Sequence, residues 1–110
     1  MELTVKQALQ QGVTAHREGK LQEAERFYRA IIQSQPTQAD ANHNLGVLAV
    51  SINKPILALP LFKVALDANP EIEQFWFSYI YALIEEQQFS VAKKLVVAGK
   101  NQGLSRKKLN

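Results

Sequence analysis

Along the first third of the chain, apolar and polar positions follow the period of amphipathic helices. Apolar or small residues recur three or four positions apart, as on the buried face of a helix, at Leu3, Ala8, Leu9, Gly12, Val13 and Ala15. A second such stretch runs from about Leu21 to Gln33, and Pro36 follows it. Because proline cannot continue a helix and Gly19 suits a helix end, we predict two helices joined by a turn at Gly19.

The same pattern returns twice more along the chain, with a period of 34 residues. The residues that recur are a glycine, an alanine, an aromatic residue and a proline: Gly12 and Gly46; Ala24, Ala58 and Ala92; Tyr28 and Phe62; Pro36 and Pro70. A period of this length is typical of stacked helix pairs, in which one pair is too small to bury its own apolar face. We therefore predict one all-α domain over residues 1–110, with units at about 3–36, 37–70 and 71–103.

Small and large residues at fixed places give this spacing a physical reason. The glycines and alanines let the two antiparallel helices of a unit approach closely, and Tyr28 and Phe62 are expected to fill the space between successive units. The third unit departs from the pattern, because Ile80 stands where the other units have glycine and Gly99 replaces an alanine.

Four positions predict local irregularities. Asn53 takes the place of the turn glycine, since asparagine tolerates left-handed backbone, and Pro55 suits the first position of a helix. Pro60 falls inside the same helix, where it removes a hydrogen bond and is expected to bend the axis. Ser105 resembles an N-cap, so residues 104–110 are predicted to begin a capping helix.

The charge of the chain is unevenly distributed. Its net charge is +3, yet six of the thirteen basic residues and none of the ten acidic ones lie after Phe89. A basic segment can attract phosphates or anionic lipid, but no aromatic residues alternate with these charges to stack on bases. We predict neither a nucleic-acid nor a membrane partner. No apolar run approaches the roughly 18 residues of a membrane span and no secretory signal is visible, so a cytoplasmic location is the default expectation.

Catalytic and metal-binding patterns are missing from the sequence. The chain has no cysteine, and its two histidines, His16 and His43, lie on different predicted helices without acidic residues at metal-ligand spacing. No serine stands in a recognisable arrangement with a histidine and an acid, and no glycine-rich phosphate loop occurs. We therefore predict no enzymatic activity, no metal and no cofactor.

The middle unit carries a family resemblance. Its Asn44-Leu45-Gly46, followed by Ala58, Phe62, Ala65 and Pro70, resembles the tetratricopeptide repeat. The first unit matches at Gly12, Gly19, Ala24, Tyr28 and Pro36, and the third keeps Trp76 and Ala92. The resemblance covers about residues 3–103 and implies a right-handed superhelical α-solenoid of antiparallel helix pairs.

The resemblance also implies a binding surface. Members of this family commonly hold short peptide segments in a concave groove lined by the first helix of each unit. The corresponding residues here are Lys6, Leu9, Gln10, Val13 and Arg17; Asp40, His43, Asn44, Val47 and Ser51; and Gln74, Phe77, Ser78, Tyr81 and Glu85. The amide of Asn44 can donate to and accept from a peptide backbone, although asparagine is also simply common at this place. Several of these residues are apolar, so we expect a partly apolar guest.

One subgroup of the family binds acidic chaperone tails through a clamp of cationic and asparagine side chains. The places of that clamp are held here by Leu9, Val13, Asn44, Gln74 and Ser78, of which only Asn44 fits. Without cations the tail would lose its charge-assisted hydrogen bonds, so we do not expect binding of such tails.

Three functions remain open at this point. The first is a protein-interaction scaffold that binds a peptide or helix in the groove. The alternative is a recruiting or oligomerisation module of a larger bacterial enzyme, such as a glycosyl-, methyl- or sulfo-transferase. The third is self-association through the apolar face around Phe89, Leu95 and Val96 of the third unit, which a capping helix normally covers.

Overall fold

The computed structural model describes residues 3–103, and this part of the chain consists of six helices and contains no strand. The helices are α1 (Val5–Arg17), α2 (Leu21–Ser34), α3 (Ala39–Ser51), α4 (Pro55–Ala68), α5 (Glu73–Glu85) and α6 (Phe89–Asn101). Consecutive helices pack against each other, and α3 also contacts α1 and α5. The predicted all-α composition is confirmed. The capping helix predicted for residues 104–110 lies outside the described residues.

The first helix begins with a reciprocal cap. The backbone nitrogen of Gln7 donates to the hydroxyl of Thr4 at 3.1 Å, and the nitrogen of Thr4 donates to the side-chain oxygen of Gln7 at 2.9 Å. Both groups would otherwise lack a partner at the helix start. This capping box fixes the start of α1 at Val5, two residues later than the apolar pattern alone suggests.

The turn inside each unit is made by one residue with left-handed backbone. Gly19 has φ 79°, Asn53 has φ 63° and Gln87 has φ 60°, and these three residues are spaced by the repeat period. The predictions for Gly19 and Asn53 are confirmed. The glutamine in the third unit was missed because its residue type gives no turn signal, although the 34-residue spacing alone identifies its position.

A glycine on the first helix and an aromatic ring on the second meet inside units one and two. A Cβ added to Gly12 would lie 2.6 Å from Cε1 of Tyr28, and one added to Gly46 would lie 2.6 Å from Cδ1 of Phe62 and still closer to its Cε1. Both aromatic side chains are almost completely buried. The aromatic residues therefore occupy the volume that a side chain at the glycine would need, and the prediction of close helix approach is confirmed.

These rings also reach the following unit. Tyr28 belongs to one buried cluster with Leu45 and Leu48 of α3, and Phe62 belongs to another with Ala82 of α5. Each aromatic residue therefore connects the helix pair of its own unit to the first helix of the next.

The third unit has side chains of different volume at the positions of the glycine and the aromatic ring. Ile80 occupies the glycine position, and Val96 occupies the position of the aromatic ring. Ile80 is buried in a cluster with Leu83 and Ala92, and Val96 packs against that cluster. A larger residue on α5 is thus matched by a smaller one on α6, which explains the departure seen in the sequence.

Between successive units, a side chain of the next helix donates a hydrogen bond to the carbonyl oxygen of a proline. The amide nitrogen of Asn42 donates to the carbonyl oxygen of Pro36 at 3.1 Å, and the indole nitrogen of Trp76 donates to that of Pro70 at 2.6 Å. Asn42 and Trp76 are one repeat period apart. Two chemically different side chains therefore make the same contact, which satisfies a carbonyl left free after a helix end. Trp76 itself is buried in the core.

Pro60 lies within α4, as predicted, and is exposed to solvent. Its ring removes the hydrogen bond to the carbonyl oxygen of Ile56, and an exposed position lets water hydrate that carbonyl. Pro55 begins the same helix, also as predicted.

We expect Gly46→Ala to destabilise the protein. The added methyl group would overlap the buried ring of Phe62, and such overpacking costs about 1–3 kcal/mol. The added Cβ would lie under 3.0 Å from the ring of Phe62, so we expect the upper end of this range, about 3 kcal/mol. The better helix propensity of alanine contributes about 1 kcal/mol in the opposite direction, so a net loss of about 2 kcal/mol is expected in urea unfolding. The double variant Gly46→Ala/Phe62→Leu serves as the control and should recover part of the loss. Unchanged stability of the single variant would contradict the packing argument.

We expect Gln87→Gly to stabilise the protein, since glycine adopts the left-handed backbone of this turn without strain. The penalty for a residue with a Cβ in that conformation is about 1 kcal/mol, and the exposed Gln87 side chain contributes little packing. The midpoint of urea unfolding should rise. Gly19→Ala is the opposite control and should lower the midpoint. A lower midpoint for both variants would show that backbone strain at Gln87 does not reduce the stability of the protein.

Candidate functional site

The residues that the family resemblance places in a groove lie on α1, α3 and α5. Val13, Val47 and Tyr81 are one repeat period apart, so they occupy the same position on three helices that contact each other in turn. Val47 is 37% exposed and Tyr81 is 53% exposed, whereas Val13 is half-buried. These three side chains form a row of apolar groups that remains open to solvent, and we call it the apolar row.

His43 lies at the centre of the candidate site but is itself buried, at 9% exposure. Its Nε2 lies 2.8 Å from the hydroxyl oxygen of Ser78 on α5. Its ring contacts those of Phe62 and Phe75, with centroid separations of 5.4 and 4.8 Å. His43 therefore joins α3 to both α4 and α5 and leaves little surface for a ligand.

The environment of His43 favours its neutral form. Burial lowers the pKa of the imidazole below its usual value, and the neighbouring Asn44 amide and Asp40 carboxylate oppose this only in part. A neutral ring can either donate to or accept from the Ser78 hydroxyl, depending on its tautomer.

Ser78 is engaged from a second side, because the amide nitrogen of Gln74 donates to its hydroxyl oxygen at 3.1 Å. The structure thus brings together three residues assigned to the groove: Gln74, Ser78 and His43. They form a chain of hydrogen bonds that begins at an exposed amide and ends at a buried ring.

A small cavity of about 230 Å³ opens between α1 and α3. It is lined by Val13, His16, Arg17, Tyr28, Asn44 and Val47. The sequence places four of these residues in the groove but misses His16 and Tyr28. Tyr28 was assigned to packing alone, since its aromatic ring fits the core pattern, and no periodic signal distinguishes its hydroxyl.

The other groove residues are placed differently. Leu9 is half-buried against two core clusters, and Phe77 is half-buried as well. Asp40 is exposed. Gln10 lines a larger opening of about 1010 Å³ between α1 and α2, together with Phe27 and other residues of the first unit, and it does not line the small cavity. These positions contribute less to a common surface than the apolar row.

The apolar face predicted at the third unit is open in part. Phe89 is 54% exposed, whereas Leu95 and Val96 are half-buried against α5. Self-association through this face stays a prediction, because nothing in the described part of the chain shows what covers it.

Residues 3–103 contain no group of three or more His, Cys, Asp or Glu side chains that could hold a metal ion. None of the helices in this range is both long enough and apolar enough to cross a lipid bilayer.

No protein-family model matches the chain, and no curated protein shows significant similarity to it.

We expect the stability of the protein to fall as the pH drops below about 6.5, the ordinary pKa of histidine. The folded-state pKa of His43 is lowered, so in this window the unfolded chain binds a proton that the folded chain does not. The contribution of His43 to the free energy of unfolding is fully present above pH 6.5 and is lost progressively as the pH falls toward the folded-state pKa. Urea unfolding at several pH values between 5 and 8 measures this change.

His43→Leu is the matched control, because the first unit has Leu9 at the equivalent position. The variant removes the titrating ring, so its stability should vary less with pH in this range. The same pH dependence in both proteins would show that His43 is not responsible.

Proposed function

We propose that the chain is a protein-interaction module that holds a peptide or helical segment of another protein against α1, α3 and α5. The observation that carries this proposal is the apolar row, in which equivalent side chains on the first helices of three successive units are exposed at Val47 and Tyr81 and half-buried at Val13. An exposed tyrosine is typical of residues that dominate binding energy at interfaces. Isolated exposed apolar residues need no explanation, but a row that follows the repeat does.

A superhelical arrangement of the tetratricopeptide type accounts best for this row. It is supported by the recurring contacts of α3 with α1 and α5, and by the repeated contact between glycine and an aromatic ring. In a right-handed solenoid of this kind the first helices line the concave side, so the apolar row would form the floor of a groove. The second helices would form the convex back.

Polar groups beside the row suit the backbone of a bound segment. Asn44 is half-buried, and its amide has both donors and an acceptor to offer. Gln74 is exposed at the other end of the hydrogen-bonded chain that contains Ser78. Apolar contacts would supply most of the affinity, while these amides would fix the position of the segment.

The alternative role, as a recruiting module of a larger bacterial enzyme, stays a prediction from the sequence. No contact among residues 3–103 distinguishes it from a free-standing interaction module.

Selection from a phage-displayed library of random peptides tests the proposal. Peptides enriched on the wild-type protein should bind at least about tenfold more weakly to Tyr81→Ala, since truncation of an aromatic residue that dominates an interface typically costs 2 kcal/mol or more. Asn44→Ala should give a smaller loss. The affinities are to be measured by fluorescence anisotropy.

Ile56→Ala is the matched control, because Ile56 is exposed to the same extent as Tyr81 but lies on α4. Its affinity for the selected peptides should equal that of wild type. Full retention of every selected peptide by a Tyr81→Ala/Asn44→Ala variant would rule out the groove as the binding surface.

A further inference from the structure

Tyr28 carries a hydroxyl group that the rest of the described structure does not use. The residue is only 1% exposed, yet its hydroxyl has no hydrogen-bond partner among residues 3–103. No fully buried side-chain nitrogen or oxygen in the same range lacks a partner, so this oxygen must retain contact with open space. Tyr28 lines the small cavity between α1 and α3 and does not line the larger opening between α1 and α2, so the small cavity is the open space available to its hydroxyl.

Packing does not explain the hydroxyl. Phe62 occupies the equivalent position in the second unit, packs on Gly46 as Tyr28 packs on Gly12, and is also 1% exposed. The fold therefore accepts a ring without an oxygen at this place. The hydroxyl is instead available to a group that enters the cavity, because a tyrosine oxygen can both donate and accept a hydrogen bond.

The other polar groups around the cavity share the chemistry of this hydroxyl, since all can donate hydrogen bonds. Arg17 offers the planar guanidinium group, Asn44 offers amide hydrogens and His16 offers a ring nitrogen. Arg17 takes part in no salt bridge within residues 3–103, and no acidic side chain lines the cavity. The site therefore has several donors and no negative charge.

Such a set of donors fits a carboxylate. A carboxylate accepts two parallel bonds from a guanidinium group, and its remaining lone pairs can accept from a hydroxyl and an amide. Burial raises the pKa of Tyr28, so its phenol stays protonated and able to donate near neutral pH. Val13 and Val47 form apolar walls that would exclude water from these bonds.

The position of the cavity favours a side chain over a chain end. It adjoins the apolar row at Val13 and Val47, and Tyr81 continues that row over α5. The exposed Lys6 lies two helical turns before Val13 on α1 and offers further surface. A segment bound along all three helices would therefore extend past the cavity and reach into it with one of its side chains.

We infer that the cavity between α1 and α3 is a carboxylate-binding subsite that receives an aspartate or glutamate side chain of a peptide bound in the groove. The inference rests on the proposed function and adds to it the chemistry of the partner. Tyr28, Arg17 and Asn44 bind the carboxylate oxygens.

Titration of the full chain with small probes, followed by the NMR shifts of its backbone amides, tests the subsite. The probes are acetyl-leucyl-aspartyl amide and its asparaginyl counterpart. The aspartyl probe should shift the amides of Val13, Arg17 and Asn44, and the asparaginyl probe should bind at least about tenfold more weakly because it lacks the charge.

Variants separate the subsite from general groove binding. Tyr28→Phe copies the second unit and so keeps the fold, and it should weaken the aspartyl probe about threefold to tenfold. Arg17→Gln should weaken it at least about tenfold. Arg26→Gln removes an arginine that lines the larger opening instead, and it should bind the probe like wild type.

Four results would overturn the inference. One is an aspartyl probe that leaves all three amides unshifted, and another is equal binding to wild type, Tyr28→Phe and Arg17→Gln. The third is equal binding of both probes, which would remove the subsite but leave the groove intact. The fourth is tighter binding of acetyl-leucyl-valine with a free C-terminus than of the aspartyl probe, which would show that the cavity takes a peptide end and not a side chain. The peptide selection with Tyr81→Ala reports on the groove independently, so the two proposals can fail separately.

Discussion

The lack of a side chain at Gly12 and Gly46 is the constraint on which the rest of the structure depends. Each glycine allows an aromatic ring of the second helix to lie directly against the backbone of the first. The ring then reaches the first helix of the following unit, so one contact sets the spacing both within and between units. The row of exposed side chains follows from that spacing. At Gly12 the same contact also brings Tyr28 to the cavity between α1 and α3.

The third unit shows that this constraint acts on total volume and not on residue type. Ile80 and Val96 replace a glycine and an aromatic ring, and α5 and α6 still bury a common cluster. Cores tolerate such exchanges when the summed volume and the apolar pattern are kept. The signature of a repeat therefore weakens in the sequence before it weakens in the structure, and the units remain equivalent where their residues no longer match.

Periodicity made the helices, the all-α class and the turns at Gly19 and Asn53 predictable, because each depends on residues near one another in the chain. For the candidate site, the sequence predicted which positions lie on the first helices but not which of their side chains are buried or exposed. Repeat spacing cannot show that His43 is buried while Val47, four residues later, is open, since burial depends on Phe62 and Phe75 from other helices. The repeat pattern also predicts only that the aromatic ring of Tyr28 packs in the core. A role for its hydroxyl can be proposed only once the residues of α1 and α3 that line the cavity are known.

The contact that His43 makes with α4 and α5 has a consequence for how the units hold together. In an array whose units touch only their neighbours, stability is a sum of unit terms and interface terms, and a weak interface lets an end unit open alone. His43 and Ser78 belong to the interface between units two and three. If that interface opened first, the part of the surface around Tyr81 would separate while the cavity beside Tyr28 stayed intact. A long partner of the kind proposed above would then be released from one end, in stages, whereas a short acidic peptide bound at the proposed subsite would stay.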